Sequence, residues 1–235
     1  VGDGAQRIYA GGFTLRQAGV EVRGRTTVLR TNYRNTADII GTAMAVAGGD
    51  DVEDLGEQFK RGEAAADAHR EGGARPVYVQ ASSGDEQVRA VIDQVSAYRD
   101  DPEDGVDLGD IAVCATSNRE VKKVTDALRA AGIPSIDLKD YDGEPTDKVK
   151  VGTFHRVKGL EFKVVFLVGL GAGEFPRPQA DGQSDGEYAE AVALQVSTLF
   201  VAMTRARDAL VLLGTDGPGD LIAGALDRFD VVERG

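Results

Sequence analysis

The chain has 235 residues, 42% of them hydrophobic and 28% charged, with a formal net charge of −12, and this length suits one large α/β domain or one domain with a remnant of another. The single cysteine excludes a disulfide framework and a cysteine-rich metal site, and two histidines are too few to favour a histidine-based zinc site. The sequence has no apolar run long enough to cross a bilayer and no signal-peptide pattern at its start, so we expect a cytoplasmic protein without a membrane contact.

Charge is unevenly distributed along the chain. The overall acidity argues against a surface that coats nucleic acid generally, because phosphate attraction needs clustered lysines and arginines. Yet residues 1–36 hold six arginines against two acids, and a second basic island spans 147–163. The acidic runs at 50–57, 100–107 and 181–190 are interpreted as solvated loops. The two basic islands are where an anion would bind.

Strand-like and helix-like segments alternate along the chain. In chain order the pattern predicts a strand at 26–30, a helix at 36–47, a strand at 77–81, a helix at 86–99, a strand at 110–116, a helix at 118–131 closed by Gly132, strands at 133–138, 148–154 and 162–169, a helix at 187–203, a strand at 209–214 and a helix at 219–227. Such alternation predicts βαβ units and a mainly parallel sheet flanked by helices on both faces. Cys114, inside an apolar strand, is expected to be a small core residue.

The first 24 residues fit this pattern poorly, since glycines interrupt a basic segment that begins abruptly. We expect the natural chain to continue N-terminally. Residues 1–24 are then the remnant and linker of a preceding domain, and 25–235 are the domain proper.

Four stretches stand out together: VGDGAQRIY (1–9), LRTNYRN (29–35), VGTFHRVKGLEF (151–162) and LFVAMTRARDALVLL (199–213). Taken singly, Gln6 suits an ordinary loop, Arg34 a surface arginine and TRAR a solvated helix face. Only TFHRVKGLEF is unusual when it is considered alone, because His, Lys, Gly and Glu occur together in a short segment between two predicted strands. Loops at the carboxyl ends of strands are where α/β sheets bind ligands.

In this order the four stretches resemble motifs III, IV, V and VI of the UvrD/Rep/PcrA-like superfamily 1 helicases, from residue 1 to about 213. The fifth-motif match, followed by VVFLVG and then by VAMTRA, is highly specific. The resemblance implies a RecA-like (P-loop NTPase-type) α/β fold. It also implies that the chain is the C-terminal motor half of such a helicase, with the tail of the first motor domain at its start.

The resemblance implies a role for each motif residue. Arg34 and Arg205 would reach the γ-phosphate of an ATP held by the N-terminal motor domain, where a guanidinium fork binds phosphate oxygens well. Gln6 would sense the γ-phosphate, and Glu161 would accept a bond from the ribose hydroxyl. The residues expected to contact DNA or couple it to ATP are Tyr9, Thr153, His155 and Lys158. A surface lysine at a turn is the alternative for Lys158.

Several features depart from the family pattern. No GxxxxGK[ST] loop occurs, and the pair Asp85–Glu86 is interpreted as the start of a helix rather than a metal box. We therefore expect no metal ligands here, ATP and Mg²⁺ held mainly by the missing N-terminal motor domain, and no ATP hydrolysis by this fragment alone. The chain has no tryptophan, so Tyr9 or Phe13 would have to replace the family's base-stacking side chain.

The spacing of the motifs also bears on domain organisation. The 118 residues between Arg34 and Thr153 are used up by the predicted elements, which leaves no room for the large accessory domain that many relatives insert.

Three functions are weighed. The first is the second motor domain of an ATP-dependent DNA helicase or translocase that moves 3′ to 5′, with single-stranded or duplex DNA, ATP and the first motor domain as partners. The second is a helicase-like nucleic-acid-binding module without motor activity. The third, an independent nucleotide-binding α/β domain, is disfavoured because no glycine-rich phosphate loop follows the first strand.

Overall fold

The computed structural model describes the backbone of residues 31–48, of three short strands between 51 and 70, and of residues 73–235. Side chains are described for 35–48 and 73–235. Gln6, Tyr9, the strand predicted at 26–30 and the proposed remnant at 1–24 lie outside these residues, and Arg34 is described by its backbone only.

The core of the fold is a seven-stranded sheet in which all neighbouring strands are parallel. Its spatial order is β11-β5-β10-β9-β6-β8-β7. The interior strand β6 (Ile111–Ala115) is buried along its whole length, as an apolar strand with helices on both faces should be. The other strands are β5 (Val77–Ala81), β7 (Ser135–Asp137), β8 (Val149–Thr153), β9 (Phe162–Val168), β10 (Ala206–Thr215) and β11 (Asp230–Arg234).

Helices cover both faces of this sheet. One face packs against α2 (Gly84–Asp100) and α3 (Asn118–Ala130), and the other against α1 (Ala37–Val46), α4 (Asp185–Met203) and the short α5 (Asp220–Ala223). Each of the four longer helices begins after a serine or threonine whose hydroxyl accepts a bond from the first turn: Thr36, Ser83, Ser117 and Ser184. The predicted α/β fold, with a parallel sheet between two helical layers, is confirmed.

Four more strands lie outside the main sheet. β1 (Thr31–Thr36) pairs in parallel with β4 (Asp67–Arg70), and β2 (Asp51–Asp54) pairs antiparallel with β3 (Glu57–Lys60). Within the described residues no helix has the length and hydropathy that a membrane crossing requires.

Most predicted elements are confirmed to within a few residues, and several details are wrong. The acidic run 50–57 is not wholly loop, because β2 occupies Asp51–Asp54, and the strands β1 to β4 were not predicted. The helix predicted over 219–227 divides into α5 and a 3-10 turn at Leu226–Arg228. The acidic run 181–190 is not wholly loop, because α4 begins at Asp185, where Ser184 and Glu187 form a capping box. The edge strand β11 was not predicted. Cys114 is fully buried, as expected.

Candidate functional site

The turn between α4 and β10 holds Arg205 inside the protein. The side chain is 2% exposed, and its Nε donates to the backbone oxygen of Val201 at 2.9 Å. Its other nitrogens reach Thr204 Oγ1 at 3.3 Å and the backbone oxygen of Leu160 at 3.5 Å. The guanidinium thus lies against oxygens of its own chain, and it must turn outward to meet a ligand at the surface.

Glu161 lies beside this arginine. The residue before it, Leu160, accepts from the Arg205 side chain, and the residue after it, Phe162, donates its backbone N–H to the Arg205 oxygen at 3.0 Å. The Glu161 side chain is exposed. The backbones of Glu161 and Arg205 therefore lie close together at the amino-terminal edge of the sheet, where β9 and β10 begin.

The strand that carries Arg34 reaches the same edge. Asn35, the next residue of β1, is buried, and its Nδ2 donates to the backbone oxygens of Thr204 and Ala206. The backbone of Arg34 is thus adjacent to a residue that touches the Arg205 turn. The structure joins the second and fourth of the four motif stretches at this point.

Thr153 and His155 lie at the opposite edge. Thr153 ends β8, and β8 and β9 both run parallel to β6, which separates them. Residues 154–161 must therefore travel from the carboxyl-terminal edge to the amino-terminal edge between the two strands. Phe154, Val157 and Phe162 anchor this segment in the core. One stretch of sequence thus connects both edges.

A turn in this connecting segment needs a glycine. Gly159 has a φ of +86°, in the left-handed region that side chains with a Cβ adopt only at a cost. No heavy atom lies within 4 Å of where its Cβ would be, so the requirement is conformational rather than steric.

An open groove of about 880 Å³ lies at the carboxyl-terminal edge. It carries three exposed cations, Arg156, Lys158 and Arg177, and none of the described residues that line it is acidic. The start of α3 also opens into it, and helix starts favour anions. Its full lining is Thr116, Ser117, Asn118, Leu138, Thr153, His155, Arg156, Lys158 and Arg177.

Two contacts organise the wall of the groove. The Arg177 guanidinium donates to the backbone oxygen of Thr116 at 2.9 Å. The hydroxyls of Thr116 and Ser117 both donate to Glu120 Oε2, at 2.7 and 3.0 Å.

The imidazole of His155 also lines the groove. Partial burial of this ring, and then the positive charge of Arg177, lower the pKa of His155 below its ordinary 6.5. The imidazole is therefore neutral at pH 7 and suited to hydrogen bonding rather than charge pairing.

A second cavity, of about 380 Å³, adjoins the groove and shares Thr116, His155 and Arg177 with it. Its walls are mainly apolar and aromatic. Phe154 and Phe175 meet edge to face there with ring centroids 6.1 Å apart, and Tyr188 and Leu194 of α4 complete the apolar side.

The acidic pair Asp85–Glu86 takes part in the start of α2, as predicted. Asp85 forms an ion pair with Lys123 at 2.8 Å and Glu86 with Arg89 at 2.8 Å, and the pKa of Asp85 is lowered by its bond to Lys123. Among the described residues no group of three or more His, Cys, Asp or Glu side chains could hold a metal ion.

Sequence reasoning missed Asn35, Arg177 and the Thr116–Asn118 wall, and it identified Arg156 only as part of the basic island at 147–163. Arg177 follows a turn 24 residues after Thr153, and nothing local distinguishes it from a surface arginine. The Ser-Asn pair directly after a buried strand was the one usable signal, since a strand's carboxyl end followed by a helix start is a common anion site.

Comparison with known proteins gives consistent results. Residues 135–216 match the family described as the UvrD-like helicase C-terminal domain. The ATP-dependent DNA helicase PcrA of Bacillus subtilis (strain 168) is 36% identical over 89 residues, which are 38% of this chain and 11% of that protein. A "Probable DNA helicase II homolog" of Mycoplasma capricolum subsp. capricolum is 42% identical over 76 residues, 32% of this chain and 10% of that protein.

The aligned segments therefore span about a tenth of these relatives. A solved structure, the C-terminal domain of a possible DNA helicase from Lactobacillus plantarum WCFS1, superposes with a TM-score of 0.58 at 18% identity. It covers 87% of this chain and 99% of that one, which supports the fold.

Proposed function

Because the chain carries a UvrD-like helicase C-terminal domain over residues 135–216, we propose that it is the second motor domain of an ATP-dependent DNA helicase or translocase moving 3′ to 5′. Residues 25–235 form that domain, and residues 1–24 belong with the first motor domain of the same parent. The observation that carries the proposal is the segment 153–162. It links a cationic groove at one edge of the sheet to the Arg205 turn at the other, where Leu160 and Phe162 on either side of Glu161 contact Arg205.

The amino-terminal edge would complete the ATP site. Arg34 and Arg205 would face the γ-phosphate of a nucleotide bound by the first motor domain, because positioned cations stabilise the charge of phosphoryl transfer. Glu161, exposed beside Arg205, would accept a bond from the ribose. Gln6 keeps its proposed role as a γ-phosphate sensor.

Arg205 is inward in this structure, so the proposal includes a movement. Closure of the two motor domains on ATP would draw the guanidinium away from the oxygens of Val201 and Leu160 and toward the phosphate. Such closure is a common way for lids and domains to complete a catalytic site.

The groove at the carboxyl-terminal edge would hold single-stranded DNA. Arg156, Lys158 and Arg177 supply charge for phosphates, Thr153 and His155 supply neutral polar contacts, and the adjoining apolar cavity gives bases a non-aqueous surface. Tyr9 keeps its proposed role as a DNA contact.

The described residues do not fit a magnesium site, since Asp85 and Glu86 are engaged with Lys123 and Arg89. Under the proposal, the first motor domain would hold Mg²⁺ with ATP. The described residues of this chain would supply an arginine and a carboxylate.

The test is steady-state ATP hydrolysis by the full-length protein at saturating single-stranded DNA. Arg205→Ala is expected to lower kcat by about a thousandfold, the usual worth of an arginine that faces the transferred phosphate. Arg205→Lys keeps the charge but loses the fork, so it should recover only part of the rate. Arg207→Ala, which removes an exposed arginine two residues away, is the matched control.

Thermal unfolding of each variant accompanies the assay, because Arg205 is buried and its loss also affects packing. Wild-type turnover in a folded Arg205→Ala protein would contradict the assigned role.

A further inference from the structure

Asn35 is a buried polar residue that the proposed function leaves without a role. Its side chain is 2% exposed, and it lies between Arg34 and the threonine that caps α1. Buried amides are retained where their hydrogen bonds are satisfied. Both bonds described for its nitrogen go to a segment about 170 residues away in sequence, so the question is what they hold in place.

The two acceptors lie on either side of Arg205. Asn35 Nδ2 donates to the Thr204 oxygen at 3.0 Å and also to the Ala206 oxygen. An amide nitrogen carries two hydrogens, so both are engaged by the carbonyls that flank one arginine. These contacts hold the carbonyl groups of the residues before and after Arg205, and with them the course of the backbone from which its side chain leaves.

The sheet is irregular at this position. Ala206 pairs with Phe162 at the start of β10, but the pairing of β10 with β9 then shifts register between Ala206 and Ala209, so the ladder is interrupted directly after the turn. The other backbone supports of the turn are the short-range bonds from Thr204 N–H to Phe200 and from Arg205 N–H to Ala202, and one bond from the neighbouring strand, Phe162 N–H to the Arg205 oxygen. Asn35 provides the long-range contact that ties the turn to β1.

We propose that Asn35 is a positioning residue for ATP hydrolysis, which holds the Arg205 turn in register with the strand that carries Arg34. It touches neither nucleotide nor DNA. Its amide sets the placement of one phosphate-facing arginine relative to the other, so that both meet the same phosphate when the domains close. This inference rests on the proposed function of the two arginines.

The experiment is a double-mutant cycle on DNA-stimulated ATP hydrolysis by the full-length protein, with wild type, Asn35→Ala, Arg205→Ala and the double variant. Asn35→Ala is expected to lower kcat by between about tenfold and a hundredfold, the usual cost of displacing a catalytic group by about 1 Å. In the Arg205→Ala background it should have almost no further effect, because residues that act as a unit are not additive. Additive losses would overturn the proposal.

A second readout separates positioning from general loss of structure. Affinity for ADP–aluminium fluoride, which places a planar group at the γ-position, should fall with kcat, whereas affinity for ADP should stay within about twofold. A merely structural role would lower the active fraction and leave both affinities unchanged. Thr42→Val, at an equally buried polar residue on α1, is the matched control and should behave as wild type.

If Asn35→Ala does not fold, Asn35→Ser replaces it, since a serine keeps a small polar group but cannot donate two bonds. The outcomes remain distinguishable from failure of the proposed function. Wild-type activity in Arg205→Ala would overturn the role of the arginine itself. Loss in Arg205→Ala with wild-type kcat in both Asn35 variants would overturn only the positioning role.

Discussion

The three cations of the groove should set the salt dependence of single-stranded DNA binding. Each phosphate neutralised on a single strand contributes a slope of about −0.7 to the dependence of log K on log salt. Three contacts, from Arg156, Lys158 and Arg177, therefore contribute about −2. Between about 50 and 200 mM salt, one contact corresponds to about a 2.6-fold loss of affinity and three to about an 18-fold loss.

The assay is fluorescence anisotropy of a labelled oligothymidylate titrated with the full-length protein at several salt concentrations. Each single alanine substitution should make the slope shallower by about 0.7, and the triple substitution by about 2. Arg228→Ala is the matched control, because this exposed arginine precedes β11 and so lies at the opposite edge of the sheet. Slopes that stay parallel to wild type in all three single variants would refute the assignment of the groove to DNA.

Three further predictions concern the chain itself. Gly159→Ala should lower the unfolding free energy by about 1 kcal/mol and the Tm, measured by calorimetry, by about 2–4 °C. Gly159→Asn should lose less stability, because asparagine tolerates a positive φ. Equal stability of the wild type and both variants would show that the turn is not strained. Arg177→Ala should raise the pKa of His155, measured by proton NMR with only two histidines to assign. An unchanged titration of His155 in Arg177→Ala would remove Arg177 as a cause of the shift. Because the pKa of His155 in the folded state lies below 6.5, this histidine contributes stability above pH 6.5. That contribution is lost as the pH falls through the folded-state pKa. Cys114, whose thiol pKa is raised by complete burial, should be silent to a thiol reagent until the protein is unfolded, so rapid native labelling would contradict its place in β6.

The elements that could be predicted from the sequence are those whose pattern is decided locally. β6 is a continuous apolar run and α3 has serine at one end and glycine at the other, so both were placed to within a residue or two. The strand β11 carries two exposed valines and is held by backbone pairing with β5. Its partner, rather than its own sequence, makes it a strand.

The residues of the candidate site likewise divide into those that a local sequence pattern indicates and those that only the fold brings together. Thr153, His155, Lys158, Glu161 and Arg205 could be proposed from the sequence because they lie in compact motifs. Their distribution over two edges of the sheet depends on strand order, which places β6 between β8 and β9.

The missed residues depend on folding entirely. Arg177 reaches the groove through a bond to Thr116, 61 residues earlier, and Asn35 reaches the Arg205 turn across 169 residues. No spacing rule in the sequence links either pair.

The most direct test of the motor assignment is to measure ATP hydrolysis with and without single-stranded DNA. The measurement compares the full-length protein with this chain in isolation. The account predicts hydrolysis that DNA stimulates in the full-length protein and none by the isolated chain, because it assigns the phosphate-binding loop to the proposed first motor domain. A full-length protein that binds single-stranded DNA but hydrolyses no ATP in either condition would contradict the account and favour a binding module without motor activity.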